Sequence, residues 1–401
     1  MHGTPLDVLT RLVTLPERIV AGIMSGTSVD AIDVALLRLR GSGEGMELEV
    51  LHYRETLFSE EMQHRVFANM EVSSSNINDI CLLHTAMAHV YADALRGTCA
   101  EAGMDVEQVH LIGMHGQTLR HLPDAVDLAG IPIRSTLQIG SAPTLATLLG
   151  VPVVSDFRAG DMVLGGQGAP LVPRVDWLLF RDLEEHRVIL NIGGMANLTV
   201  LRAACTAADV VAFDTGPGNV MVDALMRRFH GREFDEDGMV ARSGRVNPDL
   251  IGYMMQHAYF AQRPPKSTGR EMFGEHYLSE YLALARDLGI SDPAEIIATA
   301  AECTVRSIRA AVLGQLPHDG RRRLFVAGGG ARNRFFMDGL RMGLPGVEVE
   351  RLDALGLPSD AREAVSFAVL ANEWLMGNPG NMPSATGARR EALLGSLALP
   401  A

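Results

Sequence analysis

Residues 19–33 read Ile-Val-Ala-Gly-Ile-Met-Ser-Gly-Thr-Ser-Val-Asp-Ala-Ile-Asp, and the chain returns as an apolar run over Ile32–Leu39. The pattern predicts a β-hairpin whose turn is rich in glycine and hydroxyl side chains. Such a turn suits a phosphate, because glycine lets backbone N–H groups approach an anion closely. Asp30 and Asp33 are candidate Mg²⁺ ligands beside it. No Gly-x-x-x-x-Gly-Lys-Ser/Thr signature is present, which excludes an ordinary P-loop. A hairpin tip made only of turn-forming residues remains the alternative.

A second copy of this pattern lies near the middle of the chain. Val188–Ile192 is followed by Gly193-Gly194, and the chain returns as Leu198–Leu201. Two similar hairpins near the starts of the two halves indicate an internally duplicated α/β protein with its ligand between the halves. Two unrelated hairpins are the alternative.

Three further apolar runs end in polar or glycine-rich corners. They are Val109–Met114 before His115, Val210–Phe213 before Asp214, and Leu324–Ala327 before Gly328. Short buried strands with such corners are typical of open sheets that bind ligands at the carboxyl ends of their strands.

The clearest helical pattern covers Pro293–Leu313. Asp292 and Glu295 have the spacing of a capping box, and Gly314 is predicted to end the helix. One face of this helix is apolar, and it carries Ile297, Ala301, Val305, Ile308 and Val312.

The composition limits the classes of partner. A chain of 401 residues exceeds one ordinary core and favours two or more domains. A net charge of −13 argues against nucleic acid or an anionic membrane as the main partner. No stretch approaches the ~20 apolar residues that span a bilayer. The four cysteines are widely spaced, so we expect reduced thiols in a cytoplasmic protein and no zinc site.

Asp214 is the strongest candidate for chemistry. Gly216 and Gly218 follow it, so little side-chain bulk keeps a substrate or water from the carboxylate. The alternative is an aspartate that caps a helix starting near Asn219. An aspartic protease needs two facing carboxylates, and no second Asp-Thr/Ser-Gly occurs in the chain.

Four other features are open to two interpretations. Gly328-Gly329-Gly330 allows a flat group such as adenine to approach, or forms only a tight turn. Arg158 is a clamp for a carboxylate or phosphate, or an ordinary surface arginine. His115 lies in a predicted polar turn, where it contacts a ligand or serves a structural role. Lys266 is the only lysine among 35 basic residues, which reflects chance or a role that needs a compact cation.

Several motifs occur together in one order. They are Gly22–Asp33, His115–Thr118, Leu137–Gly140, Asp156–Arg158, Gly165–Pro173, Leu190–Gly194, Asp214–Asn219, Pro265–Glu271 and Gly328–Gly330. In this combination the chain resembles the anhydro-N-acetylmuramic acid kinase family over about Ile19–Gly395. That family belongs to the actin, Hsp70 and hexokinase superfamily, so the resemblance implies duplicated ribonuclease-H-like domains with an interdomain ATP cleft.

The resemblance implies a domain division. The first domain is expected over residues 1–158, with residues 378–401 packing back on it, and the second over 159–377. A homodimer is plausible from the family. Ala31 stands where many relatives carry glycine, and Arg174 and Asp176 depart from the segment that some relatives carry, which affects the expected substrate fit.

The resemblance also implies an activity and its residues. Water opens 1,6-anhydro-N-acetylmuramate while its 6-oxygen takes the γ-phosphoryl group of ATP, in murein recycling, and Asp214 matches the catalytic aspartate. The implied cofactors are ATP and Mg²⁺, with Asp30 and Asp33 on the metal. The implied ATP-binding residues are Gly26, Thr27, Ser28, Val29, Asp30, Ala31, Ile32, Asp33, Asn191, Gly193, Gly194, Gly328, Gly329 and Gly330. The implied substrate-binding residues are His115, Gln117, Gln138, Asp156, Arg158, Lys266 and Arg270.

Two rival functions come from the same superfamily. One is an ATP-binding module like the chaperone and filament members, and it would hydrolyse ATP without any dependence on an anhydrosugar. The other is a kinase for an ordinary sugar or carboxylate, and it would turn over N-acetylmuramate as fast as the anhydro form.

Overall fold

The strands β1 (Glu17–Ser25) and β2 (Ala31–Arg40) form the first predicted hairpin in the computed structural model, which describes residues 4–401. The two strands pair antiparallel, and Ser25 lies opposite Ile32 at the turn. Residues 1–3, which begin the predicted first domain, lie outside the described residues.

The remaining strands are β3 (Glu47–Leu57), β4 (Leu111–Leu128), β5 (Ile131–Ile139), β6 (Val153–Ser155), β7 (Glu185–Ile192), β8 (Met195–Leu201), β9 (Val211–Pro217), β10 (Arg321–Ala327), β11 (Glu348–Arg351) and β12 (Ser396–Ala398). The α-helices are α1 (Pro5–Thr14), α2 (Glu60–Met70), α3 (Ile77–Glu101), α4 (Ala142–Leu149), α5 (Ala159–Val163), α6 (Val172–Phe180), α7 (Val220–His230), α8 (Met239–Ser243), α9 (Pro248–Met255), α10 (Ala258–Ala261), α11 (Arg270–Phe273), α12 (Glu275–Asp287), α13 (Pro293–Gln315), α14 (Arg334–Gly343), α15 (Arg362–Leu375) and α16 (Pro383–Thr386). In residues 4–401, no helix combines the length and the hydropathy that crossing a membrane requires.

The chain divides into two compact units. The first extends to Leu179 and includes Ala361–Ala401, and the second is Phe180–Asp360. In the first unit the sheet order is β12-β6-β4-β1-β2-β3, with β5 added to β4. In the second unit the order is β11-β10-β7-β8-β9.

The two sheets repeat one topology. In each, the first three strands pair antiparallel, and the first strand also pairs in parallel with the fourth. The fourth strand then pairs in parallel with β6 in the first unit and with β11 in the second. The first unit differs in having β5 as an added antiparallel partner of β4. This is the strand order of the ribonuclease-H-like fold. The predicted duplicated α/β architecture is therefore confirmed.

Helices cover both faces of the first unit's sheet. On one face, Tyr91 and Leu95 of α3 pack with Ile23 and Ile32 in a fully buried core. On the other face, α15 packs so closely on β1 that a Cβ atom on Gly22 would lie 1.8 Å from the carbonyl oxygen of Ala364. Only glycine allows this approach.

Helix α13 forms the centre of the second unit's core. The predicted apolar face is buried, as Ile297, Ala301, Val305, Ile308 and Val312 show no exposure. The helix runs two residues past the predicted end, to Gln315. The predicted capping box is replaced by two separate contacts: Asp292 accepts from the N–H of Ala294, while Glu295 accepts from Asn247 at 3.0 Å.

The limits of the units differ from the predicted domain division at 158/159 and 377/378. Residues 159–179 and 361–377 belong to the first unit. One cause is the buried carboxylate of Asp161, which accepts from Asn381 at 2.8 Å and Thr386 at 2.7 Å. Another is the packing of α15 on β1. Local sequence patterns do not reveal contacts between segments so far apart.

Two predicted corners lie inside strands. His115–Thr118 belongs to β4, where the pairing with β1 shifts register between Ile23 and Ser25. Asp214 belongs to β9, where the pairing with β8 shifts between Ala196 and Asn197. The glycines that suggested turns accompany these irregular pairings, which bend a strand without ending it.

Candidate active site

The turn of the first hairpin rests on apolar side chains and exposes polar ones. Its buried members are Val29, Ala31 and Ile32, and its exposed members are Thr27, Ser28 and Asp30. The carbonyl oxygen of Gly26 accepts from the N–H of Val29 at 3.2 Å, which closes the turn. The hydroxyl-bearing tip is thereby held open to solvent.

Gln117 supports this turn from β4. Its side chain is fully buried, and its Nε2 donates to the carbonyl oxygen of Gly26 at 3.0 Å. Its Oε1 is buried without a hydrogen-bond partner among residues 4–401. A buried acceptor left unpaired is costly, so this atom is available to a ligand donor.

Asp30 is the last residue of the turn, and Asp33 lies in the strand β2 that follows it. Asp30 Oδ1 accepts from Ser28 Oγ at 2.7 Å, and Asp33 Oδ1 accepts from the Tyr53 hydroxyl at 2.5 Å. Burial raises the pKa of Asp33 to about 6, and the neighbouring carboxylates, among them Asp30, add to the increase. A cation at this position would relieve that repulsion.

These two carboxylates suit one kind of metal binding. In the part of the chain that the structure describes, no group of three or more His, Cys, Asp or Glu side chains is arranged to hold a metal ion. Mg²⁺ carried by a nucleotide needs only one or two protein carboxylates, with phosphates and water completing its coordination. The hydrogen bonds described above use Oδ1 of Asp30 and Oδ1 of Asp33. Carboxylate oxygens are ordinary Mg²⁺ ligands, so this pair of side chains fits the metal.

Glu363 joins this acidic group and was missed by the sequence analysis. It is exposed at the start of α15, and its charge interacts with those of Asp30, Asp33 and Arg158. The available signal was an acidic residue in the first turn of a helix that follows Pro358. Its partners are distant in sequence, so that signal did not reveal the group.

His115 and Arg158, predicted from separate motifs, form a pair. Arg158 donates to His115 Nε2 from Nε at 3.0 Å and from Nη2 at 2.8 Å. Its Nη1 donates to the carbonyl oxygen of Gly168 at 2.7 Å. The His115 ring packs against Phe367 with the ring centroids 4.7 Å apart. Burial lowers the pKa of Arg158 to about 10, which leaves it a cation at neutral pH.

The other predicted sugar contacts of the first unit lie on β5 and after β6. Gln138 is half-buried, and its Nε2 donates to Thr118 Oγ1 at 3.1 Å and to Thr136 Oγ1 at 2.7 Å. The same Thr136 hydroxyl contacts His121 Nδ1 at 3.0 Å, a neighbour the sequence analysis did not select. Asp156 is exposed directly after β6.

In the second unit, the turn after β7 is bonded to the segment after β9. Gly193 accepts from the N–H of Asn219 at 2.8 Å, and Gly194 accepts from the N–H of Gly218 at 2.8 Å. The side chain of Asn219 donates to the carbonyl oxygen of Ile192 at 3.3 Å. The predicted second phosphate turn and the Asp214 motif are therefore adjacent.

The triple glycine after β10 lies against the same turn. Gly328 has φ +76°, and a Cβ atom there would lie 2.6 Å from Asn191 Oδ1. Gly329 and Gly330 begin a 3₁₀ helix, Gly329–Arg332. The structure thus brings together three predicted segments, which are Asn191–Gly194, Asp214–Asn219 and Gly328–Gly330.

Asp214 is fixed at both its backbone and its side chain. Its Oδ2 accepts from the N–H of Thr268 at 2.9 Å. Its own N–H donates to the carbonyl oxygen of Lys266 at 3.1 Å, and its carbonyl oxygen accepts from the Tyr259 hydroxyl at 2.6 Å. Helix α7 begins at Val220, and the Asp214 carboxylate accepts from Thr268 and not from the start of that helix.

The environment of Asp214 gives it the properties of a base. Burial raises its pKa to about 6, the Thr268 N–H opposes the rise, and Glu271 adds to it. At neutral pH the group is ionised and holds a proton more tightly than an ordinary aspartate. Thr268 Oγ1 is buried nearby without a hydrogen-bond partner among the described residues.

Lys266 and Arg270 differ in their contacts. Lys266 Nζ donates to the carbonyl oxygen of Tyr259 at 3.1 Å and lies 4.4 Å from the centroid of the Tyr259 ring. Arg270 is exposed at the start of α11, where its charge acts on Asp223. Arg270 therefore remains open to a ligand, while the Lys266 ammonium is engaged within its own unit.

Comparison with known proteins gives the same family over nearly the whole chain. The family model described as Anhydro-N-acetylmuramic acid kinase matches residues 18–400. A protein of that name from Salinibacter ruber is 41% identical over 396 residues, covering 98% of this chain and 100% of the relative. One from Caldanaerobacter subterraneus subsp. tengcongensis is 37% identical over 397 residues, with the same coverage. The chain therefore belongs to the anhydro-N-acetylmuramic acid kinase family.

Proposed function

We propose that this kinase uses ATP and water to convert 1,6-anhydro-N-acetylmuramate into N-acetylmuramate 6-phosphate and ADP, in murein recycling. The observation that carries the proposal is the Asp214 carboxylate, a half-buried group with a raised pKa of about 6 that is held by Thr268. Family membership supplies the substrate class, and Asp214 supplies the base that this chemistry requires.

The reaction couples two bond exchanges. The oxygen of water bonds to the anomeric carbon, and the bond from that carbon to the 6-oxygen breaks. The freed 6-oxygen bonds to the γ-phosphorus of ATP, and the bond from that phosphorus to the β-bridging oxygen breaks to release ADP. One proton of the water passes to Asp214, and the other stays on the new anomeric hydroxyl.

Asp214 acts as general base in this scheme. An inverting glycosidase uses one carboxylate in the same way, to activate water on the face opposite the leaving oxygen. Here the phosphoryl group takes the place of the acid that would cap that oxygen. A positioned base typically contributes about 10²- to 10⁴-fold to the rate.

The two glycine turns and the triple glycine are the proposed ATP site. Residues Gly26–Asp33 and Asn191–Gly194 would contact the phosphates, and Gly328–Gly330 the adenosine. Asp30 and Asp33 would hold Mg²⁺, which neutralises phosphate charge when it is bound. The exposed hydroxyl tip of the first turn and the contact of Gly328 with Asn191 support this assignment.

The sugar is proposed to contact a set of polar and charged side chains. The set is His115, Gln117, Gln138, Asp156, Arg158 and Arg270. The paired Arg158 cation suits an anionic group of the substrate. Because ATP is the phosphate donor, we place the reaction in the cytoplasm.

The experiment that tests this function is a direct assay of the purified chain. With ATP, the anhydrosugar should be consumed and N-acetylmuramate itself should react far more slowly, because it has no bridge to open. Asp214→Asn should lower kcat by about 10²-fold or more and keep ADP binding. Asp287→Asn, at an exposed position at the end of α12, is the control. Unchanged kcat in Asp214→Asn would contradict the assignment of the base.

A further inference from the structure

We propose that Lys266 is a positioning residue for Asp214, acting through Tyr259, and that its ammonium group does not contact phosphate or sugar. The inference rests on the proposed role of Asp214 as base. It deepens that role by naming the side chains that hold the base in place.

The ammonium group is engaged with Tyr259. Nζ donates to the Tyr259 carbonyl oxygen at 3.1 Å and lies 4.4 Å from the ring centroid of the same residue. The Phe213 ring is the second aromatic neighbour, at 5.9 Å. A cation over aromatic faces gains stabilisation that grows as water is excluded. These contacts order Tyr259 at both its main chain and its ring.

Tyr259 in turn holds the main chain of Asp214. Its side chain is 1% exposed, and its hydroxyl donates to the Asp214 carbonyl oxygen at 2.6 Å. The Phe273 ring packs against it edge-on, with the centroids 5.7 Å apart. The phenol therefore has one well-defined position, and it fixes one side of the peptide group that carries the base.

Asp214, Tyr259 and Lys266 are connected to one another by hydrogen bonds. The N–H of Asp214 donates to the Lys266 carbonyl oxygen at 3.1 Å, and the N–H of Thr268 donates to Asp214 Oδ2 at 2.9 Å. The segment 266–268 thus holds the backbone and the carboxylate of Asp214, while the Lys266 side chain ties that segment to Tyr259. A base displaced by about 1 Å can lose on the order of 10²-fold in rate.

The choice of lysine agrees with this geometry. Lys266 is the only lysine among the 35 lysine and arginine residues of the chain. An ammonium is a compact point charge, whereas a guanidinium is a broad plane with donors in a fixed fork. The site requires one donor to a carbonyl oxygen and a charge above one ring, which the ammonium supplies.

The charges that face Asp214 predict a second signature. Lys266 lowers the pKa of Asp214, whereas burial and Glu271 raise it; the Thr268 N–H also lowers it. Tyr259 is neutral, because burial and Asp214 raise the pKa of its phenol. Removing the Lys266 charge should therefore raise the pKa of the base. The acid limb of the kcat profile should then move to higher pH.

The test compares Lys266→Met and Tyr259→Phe with the parent chain under saturating ATP and anhydrosugar. Both variants should lose about 10-fold or more in kcat, with the KM values for ATP and sugar within about twofold of the parent. Lys266→Arg should recover only part of the loss. Lys266→Met should also shift the acid limb upward. Tyr253→Phe and Arg232→Met, at exposed positions, are the matched controls.

Different outcomes separate this inference from the proposed function. If Asp214→Asn is inactive and Lys266→Met has parental kcat, the base stands and the positioning role is wrong. A rise in either KM with unchanged kcat would place Lys266 on a ligand and also overturn the inference. If Asp214→Asn retains activity, both proposals fail. Should Lys266→Met not fold, Tyr259→Phe decides the question alone, because it removes one hydroxyl and keeps the ring.

Discussion

Arg158 donates two hydrogen bonds to Nε2 of His115, at 3.0 and 2.8 Å. A guanidinium has only donors, so Nε2 must be an acceptor and the imidazole must be neutral. Burial, followed by the Arg158 charge, holds the pKa of His115 well below its usual value. In the proposed site His115 therefore orients Arg158 and does not exchange protons near neutral pH.

This pairing predicts that His115 does not titrate near neutral pH. In two-dimensional NMR of imidazole nitrogens, its signals should keep the neutral pattern across the range near pH 6.5 in which an ordinary histidine titrates. The His115→Gln variant assigns the signals. A full titration of His115 near pH 6.5 would contradict the neutral pair.

The raised pKa of Asp214 predicts the acid limb of activity. The base must be ionised to accept a proton, so kcat/KM for the anhydrosugar should fall below about pH 6. The profile should keep this limb in His115→Gln, because His115 is not the titrating group. A limb near pH 4, the ordinary range of an aspartate, would contradict the raised pKa of the base.

The same shift predicts an effect on stability. The pKa of folded Asp214, about 6, exceeds the ordinary value of 3.8, so folding favours the protonated form. That stabilisation is complete below the ordinary pKa and is lost as the pH rises through about 6. Asp214→Asn, which can still accept from Thr268, should therefore melt at a higher temperature than the parent at alkaline pH. The difference should shrink below about pH 4, and an equal or lower Tm at alkaline pH would contradict the burial of the charge.

The contact of Gly328 with Asn191 predicts a nucleotide-binding defect. An alanine at φ +76° would be strained, and its Cβ would lie 2.6 Å from Asn191 Oδ1. Gly328→Ala should weaken ADP binding on the order of 10-fold, measured by calorimetry, because a strained residue typically costs 1 kcal/mol or more. Gly252→Ala is the control, since a Cβ there meets no heavy atom within 4 Å. Parental ADP affinity in Gly328→Ala would remove the triple glycine from the proposed site.

Much of the fold was readable from local patterns. The apolar runs around the two glycine turns predicted the hairpins β1–β2 and β7–β8, because strand pairing and turn chemistry are local properties. Asp214 was selected because glycines follow it. The resemblance to the family then joined motifs that are distant in sequence.

Long-range packing was not readable in the same way. The Tyr259 hydroxyl reaches Asp214 across 45 residues, and no local pattern marks that tyrosine. The resemblance implied that Lys266 binds the substrate, and no local pattern revealed that its Nζ donates to Tyr259, which lies seven residues earlier. The packing of α15 on β1 also depends on contacts between opposite ends of the chain. For this reason the limits of the two units differ from the predicted domain limits.

The most direct measurement is turnover of ATP and the anhydrosugar in ¹⁸O-labelled water, followed by mass analysis of the product. If Asp214 activates water at the anomeric carbon, the label should appear in the anomeric hydroxyl and the phosphate should contain none. Product incubated in the same water without enzyme measures how fast the anomeric oxygen exchanges with solvent. Label in the phosphate, or an anomeric oxygen labelled no faster than by that exchange, would contradict hydrolytic opening coupled to phosphoryl transfer.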